Sequence, residues 1–168
     1  RARNVKVALV KLPEATAGAR APRHWGATVE RMTLLAPDVM QLHLRLDGGE
    51  RIAFYAGQYI NILLEDGGTR SFSFATAPPA EGTLELHVRR IPGGRYTAHV
   101  FKAMKPGDHL RFEGPLGAFF LREDTEKPMI FVAGSTGFAP VKSMLEYAFA
   151  RGIRRRLLLY WGVRHPED

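Results

Sequence analysis

The chain contains no cysteine, so neither a disulfide nor a thiolate-held metal cluster is open to it. It also lacks any apolar run near the roughly 18 residues that a membrane span needs. Arg1-Ala2-Arg3-Asn4 is basic, but no apolar core with a small-residue cleavage site follows it, which argues against a secretory signal. Together these absences predict a cytoplasmic protein without a membrane span. The six histidines, His24, His43, His87, His99, His109 and His165, show no metal-ligand spacing, so no metal ligand is assigned. Nor does any Ser-His-Asp arrangement stand out.

What is present begins with charge. The 24 basic and 17 acidic residues leave a net charge of +7, which suits an anionic partner without choosing among nucleic acid, lipid and nucleotide. The densest basic run, Arg151 to Arg156, falls at the end of an expected helix, where cations complement the helix dipole. At 168 residues there is room for one well-buried domain and not for two complete ones.

Residues 1–24 join a short apolar strand, Val5 to Val10, to an extended Ala-Pro-Gly-Arg stretch of linker composition. From Trp25 the pattern is β. Met40 to Leu46 alternates apolar and polar at every step, the signature of a half-buried strand. Further strands are expected at 27–33, 58–64, 70–75, 84–89 and 109–113, each bounded by Gly, Pro or Asp turns. Six such strands predict an antiparallel barrel or sandwich over 25–125, interrupted by one helix at 96–104. After Pro128 the periodicity changes. Met129 to Ala133 is continuously apolar, as in a strand covered on both faces, and a glycine turn leads into a helix at 140–150 and a second apolar strand at 157–161. This β-α-β unit over 128–168 predicts the first part of a parallel-sheet domain, incomplete because a doubly wound sheet needs more strands.

Four short motifs carry chemistry. In a strand, Arg70 and Phe72 lie on one face roughly 7 Å apart, close enough for one ligand to meet both. Arginine suits phosphate and the ring suits a flat heterocycle, although an ordinary barrel strand would carry the same residues. Alternation turns Ser71 and Ser73 to the other face, so Ser73 reaches that ligand only if the strand twists or ends there, or through its backbone amide. Gly93-Gly94-Arg95-Tyr96-Thr97 delivers a glycine turn into a helix start, where free amides favour phosphate. Thr97 is either a phosphate contact or a plain helix cap. Arg89 and Arg90 alternate faces, so at most one of them points at a ligand. Gly114-Pro115-Leu116-Gly117 and Gly134-Ser135-Thr136-Gly137 follow in order.

In this order, and with His87-Val88-Arg89-Arg90 between them, the motifs resemble the ferredoxin-NADP reductase superfamily over about residues 25 to 168. Tyr160-Trp161-Gly162-Val163-Arg164 makes the chain most similar to the bacterial oxygenase-reductase and CDP-6-deoxy-glucoseen reductase group. The resemblance implies a six-stranded antiparallel Greek-key FAD-binding barrel, followed by the start of a parallel-sheet NAD(P)-binding domain. It also implies transfer of a hydride from NADH or NADPH to FAD, then of single electrons to an iron–sulfur or other acceptor protein or domain. By motif match, Arg70 would hold the pyrophosphate, Phe72 would lie by the isoalloxazine, and Ser73, the catalytic candidate, would approach its N5. Ser71 shares that strand. His87, Val88 and Arg89 would contribute to the flavin nucleotide site, Gly93, Gly94, Arg95, Tyr96 and Thr97 to the pyrophosphate site. Gly134, Ser135, Thr136 and Gly137 would face NAD(P)H. A [2Fe-2S] centre belongs to this picture only if a ferredoxin domain lies outside the chain; residues 1–12 are similar to the tail of one.

Two residues depart from the family's pattern. Phe72 stands where tyrosine is usual, which keeps the ring and loses a phenol. Ser135 stands where glycine is common, which crowds the approach of a nicotinamide nucleotide. The sequence also fits two other readings: a flavin-binding fragment without turnover, and a basic barrel that binds nucleic acid.

Overall fold

The computed structural model describes residues 21–80 and 82–165. The strand expected at Val5 to Val10 lies outside them. Six strands form one antiparallel sheet: β1 (Arg23–Ala36), β2 (Val39–Leu46), β3 (Tyr59–Leu63), β4 (Thr69–Ser73), β5 (Thr83–Arg89) and β6 (His109–Leu116). Their spatial order is β4-β3-β6-β1-β2-β5, and a bridge between Phe74 and Leu86 joins the two outer strands into a closed barrel. Helix α1 (Arg95–Lys102) connects β5 to β6.

Alternation dictates the interior. Leu42, Leu44 and Leu46 of β2 point inward with Leu84, Leu86 and Val88 of β5, Ile60 and Ile62 of β3, and Phe112 of β6, all essentially inaccessible to water. Burial on this scale is the main favourable term for the fold. Trp25 closes one end of this core, with Nε1 donating to the Gly114 carbonyl at 3.0 Å and its ring stacked near Phe112.

The first strand is longer than its periodicity predicts. Arg23 to Thr28 pairs with β6 while Ala27 to Ala36 pairs with β2, so backbone bonds to two partners extend it beyond the alternating segment. Likewise β6 runs on through Gly114 to Leu116 because it also pairs with β3. Gly114 has a packing task there: a Cβ would stand 2.9 Å from Ile60 Cγ2.

The second unit is β7 (Met129–Gly134), a 3-10 turn over Ser135–Gly137, α2 (Phe138–Ala150) and β8 (Leu157–Gly162), with β7 and β8 parallel. Pro140 sits in the first turn of α2, where its missing N–H costs nothing. The expectation that β7 is covered on both faces is corrected. Phe131 and Ala133 are buried in a cluster with α2, Ala56 and Leu121, whereas Ile130 and Val132, on the other face, are 65% and 78% exposed among the described residues.

The basic run after α2 is also less uniform than the sequence suggests. Arg155 is buried, and its guanidinium donates to the carbonyls of Thr125 and Arg122, tying the connection between barrel and second unit. Its neighbours Arg154 and Arg156 are more exposed. Among the described residues no helix is long and apolar enough to cross a membrane.

Candidate functional site

The turn between β3 and β4 brings one group of predicted residues together. Asp66 begins that turn, its carboxylate accepting from the Gly68 N–H at 3.0 Å, and Arg95 at the start of α1 reaches the same carboxylate at 2.6 Å. The Gly68 N–H, then the Arg95 and Arg70 charges, hold the Asp66 carboxyl below its usual range. Arg70 is exposed, with Nη1 donating to the Thr69 carbonyl at 2.7 Å. Two guanidiniums from elements distant in sequence therefore converge beside the first turn of α1. Asp66 was not anticipated from the sequence, where Asp66-Gly67-Gly68 reads only as a turn.

Phe72 lies beside this cationic pair. Its ring centroid is 5.8 Å from that of Tyr96, so β4 and α1 touch through two aromatic rings. Phe72 shares its face with Ile60, its cross-strand partner, and packs on the barrel core. Ser71 looks the other way, its Oγ donating to Asn61 Oδ1 at 2.7 Å. Ser73 ends the strand opposite Tyr59, half-buried.

The approach to α1 is shaped by glycine. Gly93 has φ of +75°, which glycine adopts without a steric penalty. Gly94 occupies the N-cap position of α1, and no side chain caps its free amides. Thr97 does not cap the helix from outside. It is buried one turn in, where its hydroxyl receives the Ile91 N–H at 3.1 Å and lies 3.2 Å from the Gly94 carbonyl, bracing the glycine turn.

Whether a ligand with both anionic and flat parts fits here is tested by Tyr96. Its Oη is buried and lacks a hydrogen-bond partner, and burial pushes the phenol well above its ordinary range. A buried donor left without a protein partner, on a helix whose first amides are open, suits a polar ligand.

Along β5 the predicted residues separate by face. Val88 points into the core, so only its backbone is available outside. Arg89 pairs through Nε with Asp38 at 2.7 Å, which joins β5 to the β1–β2 turn. His87 faces the second unit and lies 2.7 Å from a carboxylate oxygen of Glu85.

Glu85 is the centre of a polar cluster that the sequence did not reveal. One of its oxygens receives His87 Nε2 and Gln41 Nε2, the other receives Lys142 Nζ of α2 at 2.9 Å. Because an ionised carboxylate only accepts, His87 Nε2 carries the hydrogen. Burial pushes the Glu85 carboxyl up, but the hydrogen bonds from His87, Gln41 and Lys142, with the Lys142 charge, outweigh it and bring it down to about 2. For Lys142 burial pulls downward, and the bonds from Nζ to Glu146 and Glu85 reverse that to leave its pKa raised.

Gly134 to Gly137 sits across a cavity of about 310 Å³ from this cluster. Ser135, Thr136, Phe138 and Trp161 line one side, and Val39, Gln41, Glu85 and His87 the other. Ser135 has φ of +46°, the only non-glycine residue with positive φ among those described, so the position favours glycine on backbone grounds. No atom lies within 4 Å of a Cβ placed on Gly134 or Gly137, so the turn borders open space. Trp161 donates from Nε1 to the Ser135 carbonyl at 3.0 Å and stacks on Phe138 at 4.3 Å.

Residues 26–121 match the family model described as the oxidoreductase FAD-binding domain, and residues 131–168 match the oxidoreductase NAD-binding domain. The chain is 45% identical over 147 residues to the terephthalate 1,2-dioxygenase reductase component 1 of Comamonas sp, covering 88% of this chain and 44% of that protein. It is 42% identical over 135 residues to the CDP-6-deoxy-L-threo-D-glycero-4-hexulose-3-dehydrase reductase of Yersinia pestis, covering 80% and 40%. Among solved structures, the Amycolatopsis cytochrome P450 reductase GcoB superposes with a TM-score of 0.81 at 39% identity, over 88% of this chain and 45% of that one. The chain thus spans less than half the length of these relatives. With a closed six-stranded barrel, a parallel β-α-β unit and a family match over 26–121, it belongs to the oxidoreductase FAD-binding domain family, with a ferredoxin-NADP reductase-like fold.

Proposed function

We propose that the chain is the flavin-binding and nicotinamide-nucleotide-facing portion of an electron-transfer oxidoreductase. It would accept reducing equivalents from NAD(P)H and deliver them to an iron–sulfur centre or another acceptor protein or domain. The observation that carries this reading is the convergence of Arg70, Phe72, Arg95 and Tyr96 around the open start of α1. Residues 25–125 would form the flavin unit and 128–168 the beginning of the nucleotide unit.

Each residue has a chemical task in this reading. Arg70 and Arg95 would neutralise the pyrophosphate of FAD, and the amides after Gly93 and Gly94 would donate to it. Tyr96 Oη would gain the partner it lacks. Phe72 would pack against the isoalloxazine, Ser73 would donate to it near N5, and Ser71 would hold β4 in place through Asn61. The backbone of His87, Val88 and Arg89 would border the flavin, and Thr97 would keep the glycine turn in shape. Gly134, Ser135, Thr136 and Gly137 would border the nicotinamide nucleotide. FAD, once bound, supplies the conversion between a hydride and single electrons, so no side chain need act as nucleophile or general base.

The named relatives are reductases of dioxygenase and dehydrase systems, and this chain is proposed to serve an oxidising or deoxygenating partner in the same manner. A cytoplasmic setting, where nicotinamide nucleotides are supplied, goes with this reading.

Anaerobic titration of the FAD-loaded full-length protein with NADH and with NADPH is the test. Bleaching of the yellow colour by either nucleotide is expected. Flavin binding without bleaching would favour a flavin-binding module without turnover. Salt-sensitive oligonucleotide binding with no flavin uptake would overturn the proposal.

A further inference from the structure

Helix α2 is attached to the barrel by three consecutive residues. Lys142 Nζ donates to Glu85 and to the Ala75 carbonyl, each at 2.9 Å. Ser143 Oγ donates to the Thr76 carbonyl at 2.6 Å. Met144 reaches under Gly57, with its Cε 2.2 Å from where a Cβ would stand on that glycine.

The ionic contact differs in kind from the other two. The Glu85 side chain is 11% exposed, His87 7% and Lys142 25%, so three polar groups have lost most of their water. Desolvation offsets much of the attraction in such a pair, and replacing both partners together by apolar groups of similar size often does as well for stability. What a saturated charge cluster contributes is register, because a single placement of Lys142 satisfies both Glu85 and Ala75. Ser143 and Met144 already provide attachment.

Its location makes register matter. Lys142 lies five residues past Gly137, about 7.5 Å along the helix axis at the usual rise per residue. The 310 Å³ cavity is walled by Ser135, Thr136 and Trp161 from one unit and by Gln41, Glu85 and His87 from the other. The Lys142–Glu85 contact spans the two walls.

We propose that Lys142 is a positioning residue: held by Glu85, it fixes the Gly134–Gly137 turn at one distance from β5, and so aligns a nicotinamide nucleotide with the flavin. The proposal rests on reading that turn as the nucleotide's site. Glu146, which also pairs with Lys142 at 2.8 Å on the same helix, does not reach the barrel through this contact and leaves the cross-unit role to Glu85.

The test compares Lys142→Met and Lys142→Arg in the FAD-loaded full-length protein. Methionine keeps the aliphatic stem and removes the charge, while arginine keeps charge and reach. Both variants are expected to retain flavin; Lys142→Arg should unfold near the wild-type midpoint, whereas Lys142→Met leaves Glu85 with only His87 and Gln41 as side-chain partners and should unfold at a lower one. In rapid mixing with NADH and NADPH, Lys142→Met should lower the limiting rate of flavin reduction about tenfold, since a misplacement near 1 Å is enough for that. The apparent Kd should move by less than about threefold, and Lys142→Arg should recover most of the rate. Hydrogen exchange without nucleotide gives a readout independent of turnover. Lys142→Met should speed exchange at Gly134 to Phe138 by about fivefold or more and leave β1 to β6 unchanged.

Wild-type reduction rate and exchange in Lys142→Met overturn the proposal. Flavin loss and a lowered midpoint in both variants overturn it too, because they indicate a folding role. If neither nucleotide bleaches the flavin-loaded wild type, the reading of the Gly134–Gly137 turn falls, and the proposal with it.

Discussion

The barrel and the β7–α2–β8 unit use the same kinds of apolar residue to different effect. In the barrel, closure of the sheet makes alternation equivalent to inside and outside, and Leu42, Leu44, Leu84 and Leu86 are all buried while Gln41, His43 and His87 face outward. In the second unit both faces of β7 are apolar, yet only the face bearing Phe131 and Ala133 is covered. Apolar composition therefore states what a strand tolerates, and only the neighbouring element decides which face is buried. The two regions also meet differently from how each is held internally. The barrel is sustained by its own core, whereas α2 depends on the barrel through Met144, Ser143 and Lys142.

The strongest way to break that dependence is Gly57→Ala. Gly57 has φ of +108°, and an added Cβ would stand 2.2 Å from Met144 Cε and 2.6 Å from the Phe119 carbonyl oxygen. Flexible Met144 can yield, but the backbone carbonyl and the dihedral cannot. A loss of about 3 kcal/mol is expected from overpacking and backbone strain together. Denaturant unfolding would measure it, and a loss below about 1 kcal/mol would show that the contact between the units is loose.

Arg70→Ala addresses the barrel's binding role without touching its core. Its side chain is exposed, so stability should change by no more than about 0.5 kcal/mol. Loss of one charge-assisted contact should weaken FAD binding by roughly 10- to 100-fold, read by flavin fluorescence titration. Unchanged affinity would remove Arg70 from the proposed site and leave Arg95 as the cation beside α1.

Much of this architecture was legible in advance because barrel strands announce themselves locally. The alternation at Met40 to Leu46, the turn residues at Asp47-Gly48-Gly49 and Asp66-Gly67-Gly68, and the apolar runs at 129–133 and 157–161 all sit within a few residues of the elements observed. The order of the glycine motifs indicated the family. What stayed hidden depends on contacts between distant segments. Glu85 reads as one more outward residue of β5 until Lys142, 57 positions later, meets it. Gly57 reads as a turn glycine until Met144 occupies the space of its missing side chain. Arg155 looks like part of a solvated basic run, and only the path of residues 122–125 shows that it is buried.

Acid titration sharpens the comparison at the junction. The Glu85 carboxyl is lowered from 4.5 to about 2, so its contribution is fully present above 4.5 and is lost as pH falls through 2. In that window the unfolded chain binds the proton and the folded one does not, which lowers stability by at most ~1.4 kcal/mol per pH unit. Lys142, with its pKa raised above 10.5, keeps its charge across the neutral range, so its contribution fades only as pH rises beyond 10.5. Thermal unfolding of the wild type from pH 5 to 2 should therefore fall more steeply than that of Glu85→Gln. Parallel curves would mean that the Glu85 cluster does not hold the two units together.

The smallest effect is expected at Ser135, where two terms oppose. A serine at φ of +46° carries a left-handed penalty of about 1–2 kcal/mol that glycine would relieve. Glycine in turn enlarges the conformational freedom of the unfolded chain, which costs roughly 0.5–1 kcal/mol. Ser135→Gly should thus stabilise by no more than about 1.5 kcal/mol, with the Trp161 bond retained because it uses the Ser135 carbonyl and not its side chain. Removing the hydroxymethyl group also opens the turn toward the cavity, so NAD(P)H should bind the same or more tightly. A variant that is more stable but binds the nucleotide more weakly would assign the Ser135 hydroxyl a direct contact with it, and would separate the turn's backbone role from its side-chain role.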